Sequence, residues 1–321
     1  MLELRCATSK ASVRASINAS GASNMKTLLA FALFGTAALF AGCGTLPLSM
    51  SKGQDDMQSP MGVPAALPRR TGEVQYFSNY YSGTLLEFDY PKSESPIGSI
   101  SFSGGAGCTK GARTFWAIAS DEIAEFKVGG TTPIRVLNAS ASDCAIDSAN
   151  GDLAAPVSGG VIIFHNARGK GKVITTPSIR GDFDGYDNKS DLFVDGFNSR
   201  YSFALVELKK GRSSFATITT SNTIEFPGSV QWDGTYLTIL DQFANAIYQY
   251  TVSGKNATLK GTVLLSAATD CAASWIAPPY VYCADAGNND GEVFKYPAGG
   301  SPIATLSGMD LPLGVVSLRV R

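Results

Sequence analysis

An all-β fold built from repeated four-stranded sheets is predicted by three features of this sequence. The first is composition. Among 321 residues there are 34 glycines, 12 tyrosines and 17 phenylalanines, and only 17% of the side chains are charged, a balance that suits strands better than helices. The second is an internal repeat. "TLLEFDYPKSESPIGSISFSG", "EIAEFKVGGTTPIRVLNAS" and "EVFKYPAGGSPIATLSG" each read as an apolar-aromatic strand, a turn with Gly or Pro, and a second strand opened by Pro-Ile. Weaker copies are "VIIFHNARGKGKVITTPS", "FALVELKKGRSSFATITT" and "AIYQYTVSGKNATLKGTVLLS". One apolar position recurs at Phe88, Phe126, Phe164, Val206, Tyr248 and Phe294, in steps of 38, 38, 42, 42 and 46 residues. Periods of roughly 40–45 residues made of short strands signal propeller blades. The third feature joins the two ends. The first copy begins at "EVQYFSN", residues 73–79, and lacks the strand that opens the others; "LPLGVVSL", residues 311–318, has the character of that missing strand. A six-bladed β-propeller is expected, closed by a C-terminal strand that completes the first blade and removes two exposed sheet edges.

In chain order, residues 1–24 are rich in Ser and Ala with few acids. They superficially resemble an organelle transit peptide, but the simpler expectation is a start assigned too early, with Met25 opening the translated chain and Cys6 outside it. Residues 25–42 have the layout of an export signal. Lys26 supplies a positive charge, and Leu28 to Phe40 is apolar but shorter than the roughly 20 residues that span a bilayer. Ala41 and Gly42 are the small residues a signal peptidase requires. The five residues "LFAGC", ending at Cys43, resemble the lipobox of bacterial lipoproteins, with Phe40 where Leu is usual and Leu39 one place earlier. The resemblance implies a diacylglycerol thioether on Cys43, cleavage after Gly42, and a fatty acid on the new amino terminus. An ordinary secretory signal with a coincidental cysteine is the competing reading. The expected location is the bacterial cell envelope, held by lipid. Gly44 lacks the Asp associated with inner-membrane retention, which favours the outer membrane or the cell surface. Residues 43–71, with several prolines and no period, read as a flexible tether or else as an arm packed along the domain. Residues 72–321 form the propeller domain.

Between the repeat copies lie "DCAIDSANGDLAAPVS", "GYDNKSDLFVDGF", "SVQWDGTYLTILDQ" and "DCAASWIAPPYVYCAD", each a strand, a polar turn and a strand. A full unit therefore runs strand A, Asp/Asn/Gly turn, strand B, loop, strand C, Gly turn, strand D. "LPLGVVS", "GDLAAPV" and "SDLFVDG" resemble the NHL-type propeller pattern over about 250 residues. The last strand departs from that pattern by carrying Ser317 in place of Asp, and the second blade lacks a clear A–B turn. The resemblance implies a fold and no single activity, since propellers bind, scaffold and catalyse alike.

Four cysteines remain in the domain, and an exported chain meets an oxidising compartment. Cys271 opens strand A of the sixth blade and Cys283 lies in strand B of the same hairpin, so folding about Pro278-Pro279 sets them near opposite each other, within disulfide reach. Cys108 and Cys144 both fall at the start of strand A, in neighbouring blades, and make the second expected pair. Buried free thiols are the alternative for each. Formal net charge is −1 and the single histidine is His165. The first removes a nucleic-acid footprint; the second removes multi-histidine zinc sites and leaves a Ser-His-Asp arrangement one possible base. His165 ends a strand C, away from the channel, and reads as structural.

Strand A lines the channel of a propeller, so candidate ligand-binding residues are those on strand A and its turns: Asp147, Asp184, Asp187, Trp232, Asp233 and Trp275. Asp182, Asp184 and Asp187 sit in "GDFDGYDNKSD"; oxygen-rich spacing of this kind suits Ca²⁺, a hard cation, or else a turn whose Asp side chains satisfy its own backbone. Asp147, Asp187 and Asp233 fall at comparable strand-A ends, as channel-mouth carboxylates or as turn caps. Trp232 and Trp275 are suited to stacking on a sugar or to packing between blades. The expected function is non-catalytic binding or scaffolding of an envelope protein or glycan by a monomer, with no nucleic acid and either no cofactor or Ca²⁺. The alternative is a metal-assisted hydrolase or lactonase using the carboxylates around Asp147, Asp184 and Asp233.

Overall fold

The computed structural model describes residues 72–176 and 179–320. The expected signal segment, Cys43 and the tether lie outside the described residues, which belong to one compact unit, Pro64–Arg321. The chain there is nearly all β. The first meander is β1 (Gly72–Asn79), β2 (Thr84–Phe88) and β3 (Gly98–Ser101). The second is β4 (Gly104–Cys108), β5 (Thr114–Ala119), β6 (Glu122–Lys127) and β7 (Arg135–Asn138). The third is β8 (Ala145–Ile146), β9 (Leu153–Val157), β10 (Gly160–Phe164) and β11 (Lys172–Thr175). The fourth is β12 (Ile179–Tyr186), β13 (Leu192–Asn198), β14 (Phe203–Leu208) and β15 (Ala216–Thr220). The fifth is β16 (Val230–Trp232), β17 (Leu237–Asp241), β18 (Ala246–Ser253) and β19 (Asn256–Leu264), and the sixth is β20 (Cys271–Ala277), β21 (Tyr280–Asp285), β22 (Asp290–Lys295) and β23 (Ala304–Leu306). A last strand, β24 (Val315–Val320), joins the first meander in the order β24-β1-β2-β3. The fourth and fifth meanders share an edge, where β15 meets β19 in a short parallel pairing, Thr219 opposite Asn256 and Thr220 opposite Ala257.

The apolar residues explain this arrangement. Strand side chains alternate between faces, and here both faces are buried. In "YVYCAD" of β21, Val281 and Cys283 pack toward the fifth meander, while Tyr282 and Ala284 pack toward the first. Six apolar clusters result, each between two meanders consecutive in the chain, the sixth between the last meander and the first. The recurring apolar position lies on the third strand of its sheet every time, and all six residues face the preceding meander: Phe88 the sixth, Phe126 the first, Phe164 the second, Val206 the third, Tyr248 the fourth and Phe294 the fifth. A polar network adds to the contact between sixth and first. Tyr282 and Ser317 each donate to Glu73 Oε1 at 2.9 Å, and Gln75 donates to the Tyr282 hydroxyl at 3.0 Å.

Both expected disulfides are present, Cys108–Cys144 and Cys271–Cys283, each with Cα atoms 5.6 Å apart. Their settings differ from expectation. Cys108 closes β4 instead of opening strand A, because "GGAGC" is itself the strand. Its glycines are needed for close approach: a side chain at Gly104 would run into the Ile118 carbonyl oxygen of β5, and one at Gly107 would come 2.8 Å from the Cys144 sulfur. Cys271 lies opposite Asp285 and Cys283 opposite Ser274; a bulge between Cys271 and Ala273 skews the register and draws the sulfurs together. The last strand likewise starts at Val315, later than residue 311: Leu313 is 41% exposed, and Leu311 has φ +55°.

Candidate functional site

The innermost strands β4, β8, β12, β16, β20 and β24 converge on a central cavity of about 1020 Å³. Their approach is close. At Gly185 of β12 a Cβ atom would collide with the Val230 carbonyl oxygen of β16, so glycine here is what lets the fourth and fifth inner strands meet. The cavity collects Asp184, Asp187, Trp232, Asp233 and Trp275 of the expected site residues; Asp147 and Asp182 do not line it. Both tryptophans are half-buried. Trp275 also packs against the apolar clusters on both flanks of the first meander, so ligand contact and core packing coexist in one side chain.

Asp147, Asp187 and Asp233 each follow an innermost strand directly, and each binds its own turn. Asp147 accepts from the Ala149 amide at 2.9 Å, Asp187 from Lys189 at 2.8 Å, and Asp233 from Thr235 at 2.7 Å. This is a repeated Asx-turn, two residues on in every case. Asp233 keeps a second role: its Oδ2 accepts from Gln249 Nε2 at 3.1 Å and from the Tyr296 hydroxyl. Asp182 sits at a bulge between Gly181 and Phe183. The bulge breaks the period-two alternation that would have put it beside Asp184, and Asp182 instead pairs with Arg180 at 3.5 Å. Among the described residues, Asp182, Asp184 and Asp187 do not bring their oxygens within 4.8 Å of one another as a group; Asp285, Asp290 and Glu292 do. His165 lies outside the cavity, 81% exposed, with Nδ1 2.8 Å from Asp152.

Two acids near Asp184 escaped the sequence reading. Asp143 lines the cavity and its Oδ2 accepts from the Asp184 amide at 3.3 Å. Asp195 of β13 is fully buried; its Oδ2 accepts from the Gly228 amide at 3.2 Å. Asp184 itself is 2% exposed, and both its carboxylate oxygens are buried without a hydrogen-bond partner. Burial pushes the Asp143 carboxyl up to about 7. Burial, then the charges of Asp143 and Asp195, push Asp184 well above the usual range, and burial with Asp182 does the same to Asp195. A signal for Asp143 existed: "SDCAID" and "TDCAAS" repeat an Asp-Cys pair at the entry to an innermost strand. Asp195 carried none, since nothing in a strand's alternation marks a buried acid.

These acids hold their protons more tightly folded than unfolded, where an Asp titrates near 3.9. Their contribution to stability is full at low pH and is lost as pH climbs through about 7, the value reached by Asp143. The melting temperature should therefore fall between about pH 5 and pH 8, and Asp184→Asn should flatten the fall and raise the melting temperature at about pH 8. A variant profile that tracks the wild type would contradict the coupling.

Among the described residues the cavity wall carries five acids, Glu122, Asp143, Asp184, Asp187 and Asp233, and no Lys, Arg or His. With aromatic faces beside carboxylates, it suits a ligand that is neutral or positively charged, bearing hydroxyl or amine groups and a flat apolar face.

No protein-family model matches the chain, and no curated protein sequence matches it either. Solved structures do. One from a nidogen/laminin complex is similar over 77% of this chain and 98% of its own, at 10% identity and a TM-score of 0.58. A functionally unknown protein from Desulfotomaculum acetoxidans is similar over 78% of this chain and 86% of its own, at 11% identity and a TM-score of 0.51. At such identities the likeness concerns the fold alone, and with the sheet pattern above it identifies a β-propeller.

Proposed function

We propose that this chain is a lipid-anchored envelope protein whose six-bladed β-propeller, closed by β24, binds a polar ligand in its central cavity without transforming it. Six consecutive apolar clusters, the last returning to the first meander, support the blade count and the closure. The anchor is supported by the lipobox-like "LFAGC" at residues 39–43. The observation that carries the binding reading is the wall of the cavity, which among the described residues has two tryptophans and five acids with no basic side chain. A nucleic-acid phosphate finds no cation there. A glycan, above all one with amine groups, finds stacking faces and acceptors, and so does a basic segment of an envelope protein. A metal-assisted hydrolase would draw on Asp147, Asp184 and Asp233. Asp147 and Asp233 are bound into their own turns, however, and Asp184 has both oxygens out of solvent.

The test of binding is a glycan array probed with the protein and with Trp232→Ala and Trp275→Ala variants. Binding of neutral or amino sugars that drops at least about fivefold in either variant is expected, in keeping with the roughly 1–3 kcal/mol an aromatic stack supplies. Binding unaffected by both would place the ligand elsewhere. The anchor is tested separately. Cys43→Ser, expressed from Met25 in a bacterial host, should lose fatty-acid labelling and remain unprocessed; labelling that persists would remove the anchor from the proposal.

A further inference from the structure

We propose that Asp285, Asp290 and Glu292 hold a divalent, oxygen-seeking cation of the Ca²⁺ type, on the face of the sixth sheet turned toward the fifth. This site shares no residue with the cavity wall and stands independently of the function proposed above.

Backbone register builds it. Asp285 ends β21 and is paired with Asp290, the first residue of β22. Glu292 is two residues further along and so projects from the same face as Asp290. The next residue on that face, Phe294, packs with Leu240, Ile247 and Val263 of the fifth sheet, which fixes the direction. Asp285 is fully buried and held rigidly. Its Oδ1 accepts from the amides of Asp270 and Gly287 at 3.0 Å and of Asn288 at 3.2 Å, and its Oδ2 from the Thr269 amide at 2.8 Å.

One oxygen from each of the three acids lies within 4.8 Å of the others. Ca²⁺ takes oxygen ligands at about 2.3–2.6 Å, so oxygens across the ion stand no more than roughly 5 Å apart. The spacing matches. A second observation points to a missing partner. Glu292 is 4% exposed, and its Oε2, like Asp290 Oδ1, is buried with no hydrogen-bond partner. Among the described residues, none of the three acids makes an ion pair with Lys, Arg or His. Uncompensated buried carboxylates are costly, and they are normally paired, protonated or bound to metal. Mg²⁺ demands a compact octahedron and keeps its water, so a partly dry, three-carboxylate pocket favours the larger ion.

The experiment is calorimetric titration of the chelator-stripped full chain with CaCl₂ and with MgCl₂, alongside thermal melts. One Ca²⁺ per chain is expected, with a rise in melting temperature and weaker or no response to Mg²⁺. Asp290→Asn and Glu292→Gln should each abolish the Ca²⁺ heat and the thermal shift. Glu292→Asp, which keeps the charge and shortens the reach, should weaken binding at least tenfold. Asp184→Asn, in the cavity, should leave binding intact. Metal-free Glu292→Gln should melt no lower than the metal-free wild type, because a buried charge has been removed. No Ca²⁺ response in the wild type overturns the proposal. So does binding that survives in Asp290→Asn and Glu292→Gln, or binding lost only in Asp184→Asn.

Discussion

A chain lacking residues 311–321 should fail to melt cooperatively and should aggregate. The deletion removes β24, which pairs with β1 over six positions from Gly72 opposite Val320 to Phe77 opposite Val315. Val315 and Val316 and Leu318 are all buried, Val315 in the cluster facing the sixth sheet and the other two in the cluster facing the second. Each such side chain contributes on the order of 1.5–3 kcal/mol, against a total of about 5–15 kcal/mol for a domain. The loss also strips Ser317 from Glu73 and opens the inner edge of β1 to pairing with other chains. Circular dichroism and light scattering on the purified truncation check this. A sharp melt at the wild-type temperature would show that β24 is dispensable and that the first and sixth sheets are held by something else.

The second large effect concerns Cys108–Cys144. This bond ties the second inner strand to the entry of the third across a separation of 36 residues, and both sulfurs lie in the apolar cluster between those two sheets. Chain-entropy reasoning assigns such a loop about 3–4 kcal/mol, and about 3 kcal/mol to the shorter Cys271–Cys283 loop. Cys108→Ala with Cys144→Ala should therefore lower the melting temperature by roughly 6–16 °C for a domain of this size, more than the Cys271→Ala, Cys283→Ala pair does. Peptide mapping of unreduced protein confirms the connectivity first. A smaller shift for the longer loop would mean that the two sheets are already locked together without the bond.

The repeat was legible because propeller physics writes it into the sequence. A strand buried on both faces is apolar over most of its length, and the residue facing the preceding meander recurs at the same place; Phe88 through Phe294 mark it in all six meanders. The Asp turn after the innermost strand was equally visible, since Asp147, Asp187 and Asp233 do the same local work. What stayed hidden depends on contacts between strands. "GGAGC" forms the inner strand that the sequence reading began only at Cys108; Gly104 and Gly107 let it press against Ile118 and Cys144. A bulge took Asp182 out of line with Asp184, and bulges leave no reliable trace in alternation. Asp143 and Asp195 were missed for a related reason: they converge with Asp184 from other strands, and a linear pattern does not report which strands meet at the axis. The group that does converge tightly, Asp285 with Asp290 and Glu292, straddles a hairpin turn, and its convergence depends on strand register that spacing alone does not report.

The central claim, a cavity that accepts neutral or cationic ligands and refuses anions, is tested most directly by tryptophan fluorescence. Two of the three tryptophans, Trp232 and Trp275, line the cavity, and the third, Trp116, is buried elsewhere. Titration with glucosamine oligomers should give a saturable change that weakens in Asp187→Asn, whose half-buried carboxylate lines the cavity, and in each of Trp232→Ala and Trp275→Ala, where the other tryptophan still reports. Uronic-acid oligomers of the same length should give none. A saturable response to the uronic acids, or a glucosamine response of wild-type strength in both single tryptophan variants, would contradict it.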